Sequence, residues 1–207
     1  MRCLVVTNIV WLPMLAFGLG SLQMASEHDP FLQALGVDEK LPDAIQKLHS
    51  AEGHYSGRCS IIRGRGPLVA LALRIGGFPP EGDDLQITLT IRRTKGHWIW
   101  KRDFSGHETC SRISFDRRYN CVHERIGGLA IGLQPVRSEA GLSIQIRRLA
   151  LFGIPCPKFL LPQSASTETQ DSMDRFCFDI SAYVPGLGLL IRYSGWLEPD
   201  RSELRSV

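Results

Sequence analysis

Residues 85–104 read LQITLTIRRTKGHWIWKRDF, and this stretch decides the fold class. Apolar and polar side chains alternate on both sides of the Lys95-Gly96 pair, as in an antiparallel hairpin with one packed face and one wet face. A slip of one residue in the pairing would expose the two tryptophans. The apolar pattern therefore predicts one register, with these opposite pairs: Thr94 with His97, Ile91 with Trp100, and Ile87 with Phe104.

The same alternation runs through most of the chain, while no β-α-β rhythm is present, which excludes a doubly wound nucleotide-binding fold. We predict an α+β fold that is mostly β: a strongly curved antiparallel sheet or partial barrel of about seven or eight strands, with helices of the N-terminal half packed on it. The predicted strands are 55–63, 85–93, 97–105, 110–115, 118–125, 142–149, 174–183 and 187–197.

The last two predicted strands form a hairpin that folds about Pro185-Gly186. Its apolar pattern predicts that Phe178 lies opposite Tyr193, Ile180 opposite Ile191, and Ala182 opposite Leu189. The same register sets Asp179 across from Arg192 on the other face, which predicts a structural ion pair.

Three helices are predicted in the first half of the chain. Asp29 is an N-cap with Pro30 at the first helical position, and Gly36 ends that helix. In the second, Leu41, Ile45 and Leu48 share an apolar face. A third helix runs from Pro67 to Ile75, with a predicted buried stripe of Leu68, Leu71, Ala72 and Ile75.

The length of the chain favours one domain, from residue 29 to 199, followed by a polar tail at 200–207. The 207 residues carry 24 basic and 21 acidic side chains, a net charge of +3, which is too balanced to predict nucleic acid as a partner. The six cysteines form no C-x-x-C pair and show no zinc-ligand spacing with histidine, so we predict reduced thiols and no metal. No nucleotide-binding motif is present, and we predict no cofactor.

Residues 1–28 form an apolar leader whose core, residues 4–22, carries no charge. Three interpretations stay open: a secretory signal, a membrane anchor, or an over-extended reading frame that truly begins at Met24. The last of these predicts a cytoplasmic protein. The other two predict export or membrane anchoring, and the membrane is a predicted partner only if the leader is retained.

Several sequence motifs between His49 and Pro199 are distinctive in combination: RGRGP at 63–67, the P-P-x-G turn at 79–82, W-x-R-x-F at 100–104, and the closing RYSGWL. With these motifs the chain resembles the family called domain of unknown function 4166. The resemblance implies no catalytic residue. Proteins similar to this family are sometimes fused behind a nicotinamide-binding domain like that of saccharopine dehydrogenase, which implies work beside an oxidoreductase.

Arg102 is the first candidate for a ligand-binding residue, because the predicted register places it on the same face as the aromatic residues Trp98, Trp100 and Phe104. An arginine there can bind the acidic group of an apolar ligand, or it can reach the rim or pair with Glu124 or Glu168. Two aromatic residues of the last hairpin, Tyr193 and Phe178, are candidates for the same lining. A second candidate site, for an anion, is the pair Arg63 and Arg65 before the Pro67 helix.

Three functions remain open from the sequence. The first is a non-catalytic binding module for a lipid-like or small hydrophobic ligand, with or without an acidic group. The second is a small isomerase, cyclase or hydrolase that uses Arg102, Asp179, Glu124 or His54 in the same cavity. The third is an interaction domain that docks on a separate oxidoreductase. A wide pocket favours either of the first two, and ionisable groups buried in it favour the enzyme.

Overall fold

The computed structural model describes residues 29–36 and 40–200, most of which lie in antiparallel strands. The leader at 1–28 and all of the tail except Asp200 lie outside the described residues. The strands are β1 Gly53–Arg63, β2 Gly82–Thr94, β3 His97–Phe104, β4 His107–Asp116, β5 Cys121–Ile126, β6 Leu129–Ser138, β7 Gly141–Leu151, β8 Ile154–Pro155, β9 Gln163–Ser164, β10 Ser166–Gln170, β11 Phe176–Val184 and β12 Gly188–Pro199. The helices are α1 Pro30–Leu35, α2 Asp43–Leu48 and α3 Pro67–Gly76, and a 3-10 turn covers Lys158–Leu160.

Ten of these strands form a closed antiparallel barrel. Strands β1 to β7 pair in chain order, β7 pairs with β10, and the ring closes through β11 and β12 back to β1. The mostly β, antiparallel prediction is confirmed, but a partial barrel of about seven or eight strands is wrong in number and in closure. Closure leaves no sheet edge unpaired around the ring, which removes a site of aggregation.

The sequence pattern missed two strands of the ring. β6 contains Gly132 and Pro135, residues that weaken a strand prediction, and its pairing with β7 has a bulge between Gly132 and Leu133. β10 reads STETQ and has no apolar alternation, yet it pairs on both sides and completes the ring. Its strand state comes from its neighbours and not from its own side chains.

The predicted β2–β3 register is confirmed at all three pairs, Thr94 with His97, Ile91 with Trp100, and Ile87 with Phe104. The β11–β12 register is wrong by two residues, because the hairpin turn is longer than predicted and a bulge follows Ala182. Phe178 lies opposite Gly195, and Ile180 opposite Tyr193. A slip of two keeps every side chain on its predicted face, since successive side chains of a strand alternate between faces.

The first two helices cover one end of the barrel. Asp29 caps α1 by accepting hydrogen bonds from the backbone N–H groups of Phe31 and Leu32, as predicted. Ile45 of α2 packs near Gly141, where β7 begins. Of the predicted apolar face, Ile45 and Leu48 are buried in α2, and Leu41 is also buried but lies before the helix begins.

The third helix lies at the opposite barrel end, and its predicted buried stripe is wrong. Val69, Leu73 and Gly76 are buried, whereas Leu68 is 59 % exposed and Leu71 is 55 % exposed. The helix is apolar on more than one face, so the pattern alone did not define which face packs on the barrel. Within the described residues, no helix has the length and apolar run that are needed to cross a bilayer.

Candidate functional site

The barrel encloses a cavity of about 320 Å³. Most of its wall consists of inward-facing aliphatic and aromatic side chains, because every second residue of each strand points inside. These include Ile87, Leu89, Phe104, Leu133, Phe176, Phe178, Ile191 and Leu197. Ionisable side chains interrupt the apolar wall at Arg102, Glu124 and Glu168, and a partly buried phenol does so at Tyr193.

Five of the six residues predicted from sequence to bind a ligand line this cavity: Arg102, Trp100, Phe104, Tyr193 and Phe178. Trp98 is buried on the same face of β3 but does not belong to the lining. Trp100 has one unusual feature: within the described part of the chain its Nε1 is a buried donor without an acceptor. Because the β2–β3 register is as predicted, Trp100 and Phe104 lie on the inner face of β3 and line the cavity.

Arg102 lies between aromatic and polar neighbours. Its Nη1 donates a hydrogen bond of 2.9 Å to Oγ of Ser111, and its guanidinium carbon lies 5.2 Å from the centre of the Trp100 ring. Its Nη2 is 3.8 Å from Oε1 of Glu124, with the two side chains 18 % and 14 % exposed. The carboxylate partner foreseen for Arg102 is therefore Glu124 and not Glu168.

We expect Arg102→Met to lower the free energy of unfolding by about 1–3 kcal/mol, because it removes the Ser111 hydrogen bond and leaves the Glu124 carboxylate without its cation. Urea unfolding measures this loss. Adding Glu124→Gln should recover part of it, since no uncompensated charge then remains.

The control for this change is Arg192→Met, which breaks the exposed pair that Arg192 makes with Asp179. An exposed pair contributes little, so the expected loss is below about 1 kcal/mol. Equal losses in Arg102→Met and Arg192→Met would contradict the buried role of Arg102.

Tyr193 stands near this pair as a neutral phenol. Burial raises the pKa of Tyr193 to about 12, an effect that Arg102 opposes and Glu124 reinforces. The Tyr193 ring packs edge-on against Phe104 and Phe178. The phenol thus supplies a hydroxyl group, and not a charge, to the cavity.

The most unusual polar group in the structure is a buried row of Asp29, His49 and Glu168, which the sequence did not predict. Nδ1 of His49 lies 2.9 Å from Oδ2 of Asp29, and Nε2 lies 2.9 Å from Oε2 of Glu168. Asp29 and His49 have no solvent exposure, and Glu168 is 4 % exposed. Rings of Phe31 and Trp100 pack on the imidazole.

His49 carries a positive charge in this row. Burial by itself would lower the pKa of His49, but the charges and hydrogen bonds of Asp29 and Glu168 outweigh burial and raise the pKa from 6.5 to about 10. A protonated imidazole donates from both ring nitrogens, which matches one carboxylate on each side. The row therefore holds Glu168 in a fixed position in the cavity wall.

The row also joins three parts of the fold. Asp29 uses one oxygen to cap α1 and the other to bind His49, which directly follows α2. Glu168 belongs to β10, the strand that completes the ring. A polar link between both covering helices and the closing strand fixes how that barrel end is covered.

The remaining predicted residues lie outside the cavity lining. Arg63 ends β1 and Arg65 lies in the loop between β1 and α3, at the other barrel end from α1 and α2. The predicted ion pair is confirmed, with Nε of Arg192 2.8 Å from Oδ1 of Asp179, although Arg192 lies opposite Ser181. His54, a residue of the enzyme hypothesis, is exposed and its Nδ1 is 3.0 Å from Oγ1 of Thr90.

Residues 29–36 and 40–200 contain no group of three or more His, Cys, Asp or Glu side chains placed to hold a metal ion. The five cysteines among them, at 59, 110, 121, 156 and 177, are free thiols.

The comparison with protein families agrees with the resemblance seen in the sequence. The model described as Domain of unknown function (DUF4166) matches residues 41–197. This range includes Arg102, Glu124, His49 and Glu168, and it leaves out Asp29. No curated protein and no solved structure matches the chain.

Proposed function

We propose that this chain, which belongs to the family described as domain of unknown function (DUF4166), binds a lipid-like or other small hydrophobic ligand inside its barrel. The observation that carries the proposal is the cavity of about 320 Å³ with its mainly apolar wall. Small-molecule sites are typically concave, mostly apolar and equipped with a few polar groups that orient the ligand. Arg102, Glu124, Glu168 and Tyr193 are those polar groups.

An interaction domain that only docks on an oxidoreductase needs no internal cavity. Filling such a space with side chains stabilises a fold, because a cavity forfeits packing contacts. Retention of the cavity therefore favours ligand binding as the function. The docking hypothesis has no comparable structural support.

The binding is tested with the neutral fluorescent dye N-phenylnaphthylamine and the variant Ala182→Phe. Ala182 lines the cavity, so a phenyl ring there occupies ligand space, and we expect the dissociation constant to rise about tenfold or more. The matched control is Ala165→Phe, the same substitution at an exposed position. Native mass spectrometry of protein from its own host should also find a retained apolar ligand.

Absence of dye binding to the unaltered chain would contradict the proposal. Equal weakening by Ala165→Phe would contradict the assignment of the cavity as the site. Circular dichroism of both variants checks that the barrel still forms, since overpacking a core costs about 1–3 kcal/mol.

A second candidate function is acid–base catalysis on a ligand in the same cavity. The observation that favours it is the group of ionisable side chains in a mainly apolar wall, with Glu168 held in place by His49 and Asp29. Buried groups of this kind are typical of acid–base sites. A binding module returns the retained ligand unchanged, whereas an enzyme returns an isomer or a product of different mass.

A further inference from the structure

The α3 end of the barrel is the end at which several segments meet around the cavity. The N–H of Gly64 donates to the carbonyl of Leu190, which brings the β1–α3 loop beside the start of β12. The N–H of Gly128 donates to the carbonyl of Ile75, and the N–H of Phe152 to that of Gly128. Helix α3, the β5–β6 turn and the β7–β8 hairpin are therefore neighbours.

The cavity reaches the surface at this end. Leu68 of α3, Leu160 of the 3-10 turn and Leu187 of the β11–β12 turn line the cavity and are also exposed. Side chains that both line the cavity and contact solvent mark the place where the cavity wall meets the outer surface. We call the segments 63–80, 149–163 and 184–191 the rim.

Large apolar side chains stand in solvent along the rim. Phe152 is 72 % exposed, Ile154 72 % and Phe159 73 %, beside the exposed Leu68 and Leu71 of α3. Single exposed apolar residues are ordinary, but a group of them around an opening marks an interaction surface. Two aromatic rings and several aliphatic chains are thus available to enter an apolar phase.

The charge of the rim is of one sign. Its three segments contain Arg63, Arg65, Arg74 and Lys158 and no aspartate or glutamate, in a chain whose total charge is nearly balanced. Arg65, Arg74 and Lys158 are exposed. The closest acidic residue along the chain is the exposed Glu81, which directly follows the first segment, and it leaves basic residues in excess there. Asp83 and Asp84 lie in β2, and Asp84 is paired with Arg58.

We propose that the rim docks on an anionic lipid surface, with Phe152, Ile154 and Phe159 inserted among the lipids and the basic side chains at the head groups. Apolar side chains flanked by basic ones are the arrangement by which peripheral proteins bind anionic bilayers. The open end of the cavity then faces the membrane. Delivery of a lipid-like ligand through that opening rests on the proposed function, whereas the docking surface rests on exposure and charge alone.

The position of contact is tested by placing tryptophan on the rim and mixing the full chain with vesicles that contain brominated phosphatidylcholine and phosphatidylserine. Bromine quenches tryptophan emission only at close range. We expect added quenching in Phe152→Trp and Phe159→Trp over the unaltered chain. The controls are Met173→Trp and Val136→Trp, at exposed apolar positions toward the opposite barrel end, where no added quenching is expected.

This readout reports which face of the barrel meets the lipid, so it stays informative even where the apolar stretch 4–22 holds the chain on the vesicle. Replacing Arg65 and Lys158 by glutamate should raise the vesicle concentration for half-maximal quenching at least tenfold, because each basic residue near an anionic surface strengthens binding about fivefold. The control, Lys95→Glu with Arg117→Glu, alters exposed charges at the other end.

Equal quenching of rim and control tryptophans, or rim quenching unaffected by loss of phosphatidylserine, would overturn the docking proposal. A dimer in sedimentation analysis that Phe152→Ser with Phe159→Ser abolishes, without lipid contact, would assign the rim to a second copy instead. Dye binding without rim quenching overturns docking alone. Rim quenching without dye binding overturns the proposed function alone.

Discussion

Replacing His49 by glutamine is expected to lower the free energy of unfolding by about 3–5 kcal/mol at neutral pH, the largest effect of any single change considered. The imidazolium stands between two buried carboxylates, Asp29 and Glu168, at 2.9 Å from each. Glutamine supplies no positive charge, and its amide cannot reach both carboxylates as the ring does. Two buried carboxylates then lack a cation, and an uncompensated buried charge strongly destabilises the folded state.

Urea unfolding by circular dichroism measures this loss, with His97→Gln as the control. His97 lies partly exposed at the start of β3, and an ordinary surface change alters stability by less than about 0.5 kcal/mol. Adding Asp29→Asn and Glu168→Gln to His49→Gln should restore part of the stability, because no unpaired buried carboxylate then remains. A His49→Gln variant as stable as the unaltered chain would contradict the ionised row.

The sequence predicted those parts of the fold that local alternation controls. The β2–β3 hairpin came out in register because Trp98 and Trp100 leave only one pairing that buries both. The same reasoning placed Arg102 beside Trp100 and Phe104 in the cavity wall. Where each strand carries its own apolar face, the physics of the hairpin is readable from the chain alone.

Local alternation of side chains could not predict the closure of the barrel. β10 has a polar sequence and pairs with β7 and β11, and β6 carries a proline. The tight approach of β1 to β12 depends on glycines at 57 and 195, where a Cβ would collide with the backbone of the neighbouring strand. These features act between strands that are distant in sequence, so no local pattern reports them.

The buried row was missed for a related reason. His49 and Glu168 lie 119 positions apart, and the strand that carries Glu168 was not predicted. Asp29 was predicted as a helix cap, and that role used only one of its oxygens. The one available signal was a histidine directly after the apolar face of α2, whose period makes the next position a plausible buried site.

Two cationic side chains pair with carboxylates of the cavity wall: Arg102 pairs with Glu124, and His49 pairs with Glu168. The Nη2 of Arg102 lies 3.8 Å from Oε1 of Glu124. His49 is ionised only because of its neighbours, so its bonds to Glu168 and Asp29 depend on pH. The helix-covered end of the barrel therefore makes a pH-dependent contribution to the stability of the fold.

Stability should consequently fall as the solution becomes alkaline. The pKa of His49 is about 10 in the folded chain and 6.5 for an ordinary histidine. Because the folded pKa is the higher one, the stabilisation is complete below about pH 6.5 and is lost as the pH rises through about 10. The whole contribution is on the order of 5 kcal/mol, from about 1.4 kcal/mol per pH unit.

Urea unfolding at about pH 6 and about pH 9 should therefore differ by roughly 3 kcal/mol. The comparison stops near pH 9 because burial raises the pKa of Cys59 to about 11, and its unfolded thiol ionises at about 9. In the variant His49→Gln with Asp29→Asn and Glu168→Gln the slope should be nearly flat over this range. An equally steep slope in that triple variant would assign the pH dependence to another group and would contradict a protonated His49 in the fold.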